Sequence, residues 1–153
     1  MDLEEREFVP LVRLYAIKEK ELSYGKNILN VPEKVVELSQ QIIKNQDREY
    51  VLAITLDTRL RPVSLEVGAI GGINKAGVEP RDIFKHAILS NATGLVIVHN
   101  HPSGDPGPSK EDYFITERMK EAGEVLGIPL LDHIIVGEDA YFSFTENSNE
   151  ENE

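Results

Sequence analysis

The sequence contains no cysteine and no tryptophan, and it holds only 2 methionines. Without cysteine there are no disulfides and no thiolate metal ligands, so a zinc site in this chain would use nitrogen and oxygen donors. No apolar run reaches the roughly 18 residues that span a bilayer, and the opening residues do not combine a basic start with an uninterrupted apolar stretch. We therefore expect a cytoplasmic protein with no membrane segment.

Positive charge is also scarce. The chain has 16 Lys and Arg against 27 Asp and Glu, a formal net charge of -11. Because contacts of Lys and Arg with phosphates supply most of the sequence-independent affinity for nucleic acid, this charge argues against free DNA or RNA as a partner. The few basic clusters, such as Lys18 with Lys20 and Arg59 with Arg61, are sparse and are interpreted as solvated surface.

Length and patterning predict one domain. A chain of 153 residues with 41% hydrophobic content can bury one sizeable core, whereas two cores would each be marginal. Residues 1–27 form an N-terminal extension, in which alternation from Phe8 to Ile17 predicts an edge strand. Residues 28–145 hold the domain, and the acidic residues 146–153, which lack apolar content, are expected to be a disordered tail.

Inside the domain, helical and strand periodicities alternate along the chain. Helices are predicted over about 32–44, from Pro80, and from Ser109 to Gly127, and strands over 50–56, 63–67, 94–98, 130–136 and 141–145, with a glycine-rich loop at 71–77. Helices interleaved with strands around one core predict an α/β (α+β) fold rather than a bundle or a barrel.

Polar chemistry begins where a buried strand ends. The run 94–98 is wholly apolar and stops at His99. His99 and His101 are two positions apart, so in an extended chain both imidazoles project to one side. Asp112 lies in the first turn of the helix that Ser109 caps, and a strand–loop–helix reversal can return that turn to the end of the strand.

Three nitrogen and oxygen ligands with room for a water are typical of a catalytic zinc site, since a structural site fills all four positions with protein groups. Zinc lowers the pKa of such a water to about 7 and polarises a carbonyl group. One carboxylate near the water would complete an amide hydrolase, and Glu49 is our candidate. Taken singly, the histidines could be a chance pair, and Ser109 with Asp112 an ordinary capping box. Their combined spacing favours the site.

That spacing is H-x-H, seven residues, Ser, two residues and Asp, here His99, His101, Ser109 and Asp112. It resembles the JAMM (MPN-plus) metal motif, and the strings HNHPSGDPGPSKED and LLDHIIVG resemble the RadC-like group of that family in particular. The similarity runs from about Val31 to Thr145. It implies a single domain with a JAMM/MPN-like mixed β-sheet flanked by helices, and the activity of a zinc metallopeptidase or isopeptidase.

The resemblance also implies roles by position. His99, His101 and Asp112 would hold one zinc ion per chain, and Ser109 would help to stabilise the oxyanion during attack. The family's glutamate lies just before a strand that follows a helix, which matches Glu49 ahead of YVLAITLD. Glu49 would then move the proton between the water and the leaving amine. The implied partner is a peptide or an isopeptide-linked protein substrate.

Other polar residues remain open. Glu66, on the polar side of the next strand, is the alternative carboxylate, although a solvent-facing strand residue is its simpler explanation. Asp105 could replace a ligand, but Pro106 beside it favours a turn. His86 is expected on the exposed surface of a helix, and His133 is either a core residue or a partner of a metal ligand.

Two other classes of function are also considered. A non-catalytic binding module would keep the fold without the reaction, and the intact ligand set argues against it. A DNA-repair accessory protein is what the name RadC suggests, but residues 1–48 hold a single glycine, Gly25, and no glycine-rich helical hairpin. The sequence leaves open which amide bond is cut, whether a ubiquitin-like protein is the target, and whether the chain forms a homodimer through its N-terminal strand.

Overall fold

The structure is a computed structural model that describes residues 5–26, 28–71 and 77–150. Its helices are α1 (Pro32–Ile43), α2 (Pro80–Leu89), α3 (Lys110–Leu126) and α4 (Phe144–Glu150), and its strands are β1 (Tyr50–Leu56), β2 (Pro62–Ile70), β3 (Gly94–Asn100), β4 (Leu130–Val136) and β5 (Tyr141–Ser143). Of the predicted glycine-rich loop, residues 72–76 lie outside the described residues. No helix among the residues described is long and apolar enough to cross a membrane.

The five strands form one mixed sheet in the order β2-β1-β3-β4-β5. β1 pairs antiparallel with both β2 and β3, and β4 pairs antiparallel with β5, whereas β3 and β4 are parallel. The parallel pair follows from its connection, because α3 supplies the crossover that parallel neighbours need. The α+β fold class predicted from the sequence, a mixed sheet flanked by helices, is confirmed.

Each face of the sheet has its own apolar cluster. The cluster on the α2 and α3 side includes Ile97 and Met119, and the cluster on the α1 side includes Val98 and Leu38. Strand β3 is buried along its whole length. Burial of a large apolar side chain stabilises the fold by about 1.5–3 kcal/mol, so β3 is firmly held between the two layers. The strand that leads to His99 is therefore a rigid support.

Helix α3 begins and ends where the sequence predicts. Ser109 is its N-cap, and the Ser109 Oγ accepts a hydrogen bond from the Asp112 backbone N–H at 3.1 Å. The Asp112 Oδ2 in turn accepts from the Ser109 backbone N–H at 2.8 Å, which completes a capping box. Gly127 follows the last turn with a φ of 71°, a left-handed conformation that glycine adopts without steric cost. The capping box fixes Asp112 at the start of the helix.

The predicted edge strand from Phe8 to Ile17 is wrong. The structure assigns no strand to this segment, and its large apolar side chains are exposed, with Phe8 at 85% and Leu11 at 101%. The edges of the sheet are β2 and β5, so the segment pairs with neither. An alternating pattern forms a strand only where it pairs with a neighbouring strand, and this segment does not pair with either edge of the described sheet.

The predicted disorder of residues 146–153 is also wrong for residues 146–150, which belong to α4. The ring of Phe144, only 8% exposed, stacks on His133 with ring centroids 4.8 Å apart and thereby anchors the helix. The Ser143 Oγ accepts a hydrogen bond from the Glu146 backbone N–H at 3.1 Å. One buried aromatic residue and one cap thus order a segment whose composition suggested a tail; residues 151–153 lie outside the described residues.

Candidate metal centre

The side chains of His99, His101 and Asp112 converge at the end of β3. The Nε2 atoms of His99 and His101 lie 3.0 Å apart. His99 Nε2 lies 3.4 Å from Asp112 Oδ1, and His101 Nε2 lies 3.5 Å from Asp112 Oδ2. His99 is fully buried, and Asp112 is 2% exposed. The structure therefore brings together the three residues that the sequence proposes as ligands.

These separations fit a single small cation. Tetrahedral donors about 2.0–2.1 Å from a zinc ion lie roughly 3.4 Å from one another. The donor pairs of the site lie between 3.0 and 3.5 Å. His99, His101 and Asp112 thus form a group that could hold a metal ion.

The proton arrangement on His101 points the same way. Its Nδ1 lies 2.8 Å from the backbone carbonyl oxygen of Asp105, which can only accept, so Nδ1 carries a proton. In the neutral ring, Nε2 is then a lone pair aimed at Nε2 of His99, 3.0 Å away. Two nitrogen atoms this close need a shared cation or proton between them, and a metal ion bound by both imidazoles would supply that cation.

Charge at the centre is arranged for cation binding. Burial raises the pKa of the Asp112 carboxyl, but its contacts with the imidazoles of His101 and His99 and with the Ser109 N–H outweigh burial and hold that pKa well below its usual range. The contact with Asp112 in turn raises the pKa of His101, against the opposing effect of burial. Asp112 is thus an anion that faces both imidazoles.

Glu49 lies beside the three converging side chains. Its Oε1 is 3.9 Å from Nε2 of His101, and its side chain is 28% exposed. The backbone carbonyl of Glu49 accepts a hydrogen bond from the Gly71 N–H at 2.8 Å. The carboxylate is thus close to the three converging side chains and partly exposed to solvent.

A second support for Glu49 comes from Asn100, between the two histidines. The Asn100 Nδ2 donates to the Arg48 carbonyl oxygen at 3.0 Å, and its Oδ1 accepts from the Tyr50 N–H at 2.7 Å. One amide therefore binds the backbone on both sides of Glu49. Asn100 is not among the site residues predicted from the sequence. Its position in H-N-H, which turns it to the opposite face of β3 from the histidines, was the available signal.

An open cleft of about 290 Å³ lies in front of the centre. It is lined by Glu49, His101, Pro102, Ser103, Ser109 and Asp112. Glu66, the alternative carboxylate, lies on β2, where burial raises its pKa despite the opposing charge of Lys85. Of the two carboxylates, the structure brings Glu49 to the cleft.

The remaining sequence candidates have clear positions. Asp105 shapes the loop, with its Oδ1 accepting from the Gly107 N–H at 2.9 Å and its carbonyl binding His101. The expectation of an exposed His86 is wrong, because it is 6% exposed and its Nε2 lies 2.7 Å from the Ser64 Oγ. Its helix packs that face onto β2, and burial lowers its pKa. His133 contacts His99, one of the three proposed ligands, directly.

A strand-end pair of imidazoles, a carboxylate at the next helix start and a further carboxylate beside them define the class: an α+β domain with a group of side chains that could hold a metal ion. Residues 29–150 match the family model described as the RadC-like JAB domain. The chain belongs to this family.

Curated relatives share the domain but are longer. A UPF0758 protein of Thermotoga maritima is 49% identical over 113 residues, which cover 74% of this chain and 50% of the relative. A UPF0758 protein of Desulforamulus reducens is 45% identical over 116 residues, covering 76% and 51%, and one of Methanosarcina barkeri is 42% identical over 115 residues, covering 75% and 50%. The chain thus spans about half the length of these relatives.

Proposed function

We propose that this protein is a zinc-dependent peptidase or isopeptidase that hydrolyses an amide bond. The observation that carries the proposal is the convergence of two Nε2 atoms and one carboxylate, 3.0–3.5 Å apart, at the wall of an open cleft. Glu49 and Ser109 line the same cleft. A purely structural site would be closed to solvent by a fourth protein ligand, and the cleft instead leaves one side of this group accessible.

His99, His101 and Asp112 would hold the metal. Imidazole nitrogen and carboxylate oxygen suit zinc, and the tetrahedral spacing of the donors favours it over the octahedral oxygen sites of magnesium or calcium. When bound, zinc would supply an acidified water and an electrophile for the carbonyl oxygen of the substrate.

The chain's own residues supply the proton transfers. Glu49, at the edge of the cleft, accepts a proton from the attacking water and gives it to the leaving amine. The Ser109 Oγ accepts from the Asp112 N–H, and its own hydroxyl proton is free to donate to the developing oxyanion. Ser109 thus serves as helix cap and as oxyanion donor at once.

The proposed substrate is a peptide or an isopeptide-linked protein. The chain spans about half the length of its relatives. The proposal therefore concerns amide hydrolysis by the shared domain and not the substrates of the longer proteins. A bound zinc ion would balance the charges of Glu49 and Asp112, so the centre itself would select neither acidic nor basic substrates.

The test begins with metal-depleted protein. Zinc is titrated back, and the wild type is incubated with a library of linear peptides and peptides branched through a lysine ε-amide, with new amino groups identified by mass spectrometry. We expect about one equivalent of zinc to bind and cleavage to appear with it, and Glu49→Gln to bind zinc without cleaving.

Two results would contradict the proposal. Binding of less than a tenth of an equivalent of zinc would remove the metal centre, and stoichiometric zinc without zinc-dependent cleavage of either peptide class would favour a non-catalytic binding module. The first result concerns His99, His101 and Asp112, and the second concerns Glu49 and Ser109, so the two failures are distinguishable.

A further inference from the structure

His133 lies behind the metal centre, on the side away from the cleft, and is fully buried. Both of its ring nitrogens contact polar partners: Nε2 lies 2.7 Å from Nδ1 of His99, and Nδ1 lies 2.6 Å from Oγ1 of Thr116. The ring also stacks on Phe144 at an interplanar angle of 13°. A flip of the ring would break both polar contacts at once.

The far end of this chain of contacts sets its direction. The Thr116 Oγ1 lies 2.7 Å from the backbone carbonyl oxygen of Asp112, and a carbonyl can only accept a hydrogen bond. The hydroxyl proton of Thr116 is therefore committed to Asp112. Thr116 Oγ1 must then accept from His133, so Nδ1 of His133 carries a proton.

The proton on Nδ1 of His133 in turn determines which nitrogen of His99 carries a proton. The partners of His133 are a hydroxyl and an imidazole, neither of which would balance a charge on a fully buried ring, so the ring is neutral. A neutral imidazole with a proton on Nδ1 offers a lone pair at Nε2. Nδ1 of His99 must therefore donate to His133, which leaves Nε2 of His99 as a lone pair at the metal centre.

We propose that Thr116 and His133 are positioning residues that hold His99 in the tautomer able to bind metal. The proposal rests on the metal centre of the proposed function but concerns the protein before any substrate binds. The series of hydrogen bonds from the Asp112 carbonyl through Thr116 and His133 to His99 is called the relay below. Asp112 lies at both of its ends, because its carbonyl accepts from Thr116 and its carboxylate lies beside His99 at the metal centre. Asp112 thereby helps to orient His99, through Thr116 on helix α3 and His133 on strand β4.

The relay complements the support of the second histidine. His101 is held with its proton on Nδ1 by the Asp105 carbonyl, and His99 is held likewise by His133. Without the relay, His99 could carry its proton on Nε2, where it would compete with the metal. In both ligands the proton on Nδ1 thus directs Nε2 to the metal centre, where the two Nε2 atoms lie 3.0 Å apart.

The first test reads the tautomers directly. The chain has only 4 histidines, so long-range nitrogen–proton NMR spectra of the ring nitrogens can be assigned by single substitutions. We expect Nδ1–H and an unprotonated Nε2 for His133, and Nδ1–H for His99, in the metal-free and in the zinc-bound protein. A proton on Nε2 of His133 in either form would overturn the relay.

The second test measures zinc affinity with matched variants. Thr116→Val removes the hydroxyl at nearly constant shape, and we expect it to weaken zinc binding by about 10- to 100-fold, the usual effect of losing an outer contact of a ligand. Thr116→Ser restores the hydroxyl and should bind zinc within about threefold of wild type. Ser64→Ala, which breaks the other hydroxyl–imidazole contact at His86, is the control and should leave zinc affinity unchanged.

The outcomes separate the relay from the catalytic proposal. Zinc affinity of Thr116→Val equal to that of Ser64→Ala would overturn the relay even if the wild type cleaves peptides. A wild type that binds no zinc would contradict the metal centre, and the tautomer of His133 would then decide the relay alone. Circular dichroism of each variant checks that a loss of affinity does not reflect unfolding.

Discussion

The side-chain amide of Asn100 binds the backbone on both sides of Glu49, through the carbonyl of Arg48 at 3.0 Å and the N–H of Tyr50 at 2.7 Å. Asn100 lies between the two histidines in the sequence, yet it faces the other side of β3. One residue of the motif thus ties the proposed proton carrier to the strand that carries the proposed ligands.

We expect Asn100→Ala to lower kcat by about tenfold or more, because loosely held catalytic groups lose much of the benefit of orientation. Zinc affinity should stay near that of wild type, since the amide contacts none of the ligands' side chains. The direct readout is amide hydrogen exchange at Tyr50, which should accelerate. Unchanged exchange at Tyr50, or loss of zinc, would show that Asn100 does not act through Glu49.

Glu49→Gln should keep zinc and lose activity by about 100-fold or more, because an amide cannot carry the proton from water to the leaving amine. Glu66→Gln is the matched control, since it removes the same charge from the neighbouring strand outside the cleft. Steady-state kinetics at saturating zinc compare the two. If Glu66→Gln lost more activity than Glu49→Gln, the assignment of the base would be reversed.

Asp112→Asn should weaken zinc binding by more than the roughly 10- to 100-fold that the loss of an outer contact costs, because it removes the only anion that faces both imidazoles among the described residues. The amide oxygen can still accept from the Ser109 N–H, so the helix start should survive. Isothermal titration with zinc measures the first effect, and thermal unfolding of the metal-free protein measures the second. An affinity equal to that of wild type would remove Asp112 from the ligand set.

Two substitutions at Ser109 separate its cap from its proposed oxyanion role. Ser109→Ala should cost about 1 kcal/mol of stability, whereas Ser109→Gly should cost only a few tenths. Both remove the hydroxyl, so both should lower kcat by a similar factor, about 100-fold or more if the hydroxyl donates to the oxyanion. Urea unfolding and kinetics are measured in parallel. A kcat that followed stability instead of the hydroxyl would leave Ser109 with the cap alone.

His86 should make the protein less stable in mild acid. Burial lowers its pKa below the value near 6.5 of the unfolded chain, so the unfolded state binds the proton more readily. The contribution of neutral His86 to the free energy of unfolding is therefore fully present above pH 6.5. It is lost as the pH falls through the pKa of His86 in the folded protein. Between pH 7.5 and 5.5, the free energy of unfolding of metal-free wild type should fall more steeply than that of His86→Gln; equal slopes would contradict this.

The local features of the site follow from short-range patterns. An apolar run that stops at His99 predicts the end of β3, and the step of two to His101 predicts a shared side of that strand, because side chains alternate along it. Ser109 with Asp112 predicts the start of α3, since the backbone N–H groups there need a cap. These inferences needed only neighbouring residues.

Other features depended on contacts across the fold. Whether His133 lies in the core or beside a ligand depends on the register of β3 with β4, in which His99 is paired with Ile135 and His133 lies two residues earlier on the same face. The burial of His86 depends on how α2 packs on β2. No periodicity in the sequence reports the register of two strands joined through a helix.

The sequence by itself determined the family, the α+β class and the positions of the proposed ligands at a strand end and a helix start, because alternation and capping act over a few residues. Only the tertiary structure decided that Asn100 holds Glu49, that Thr116 and His133 orient His99, and that the segment from Phe8 to Ile17 joins no strand. Such contacts join residues far apart in the chain, and the packing of whole elements sets them.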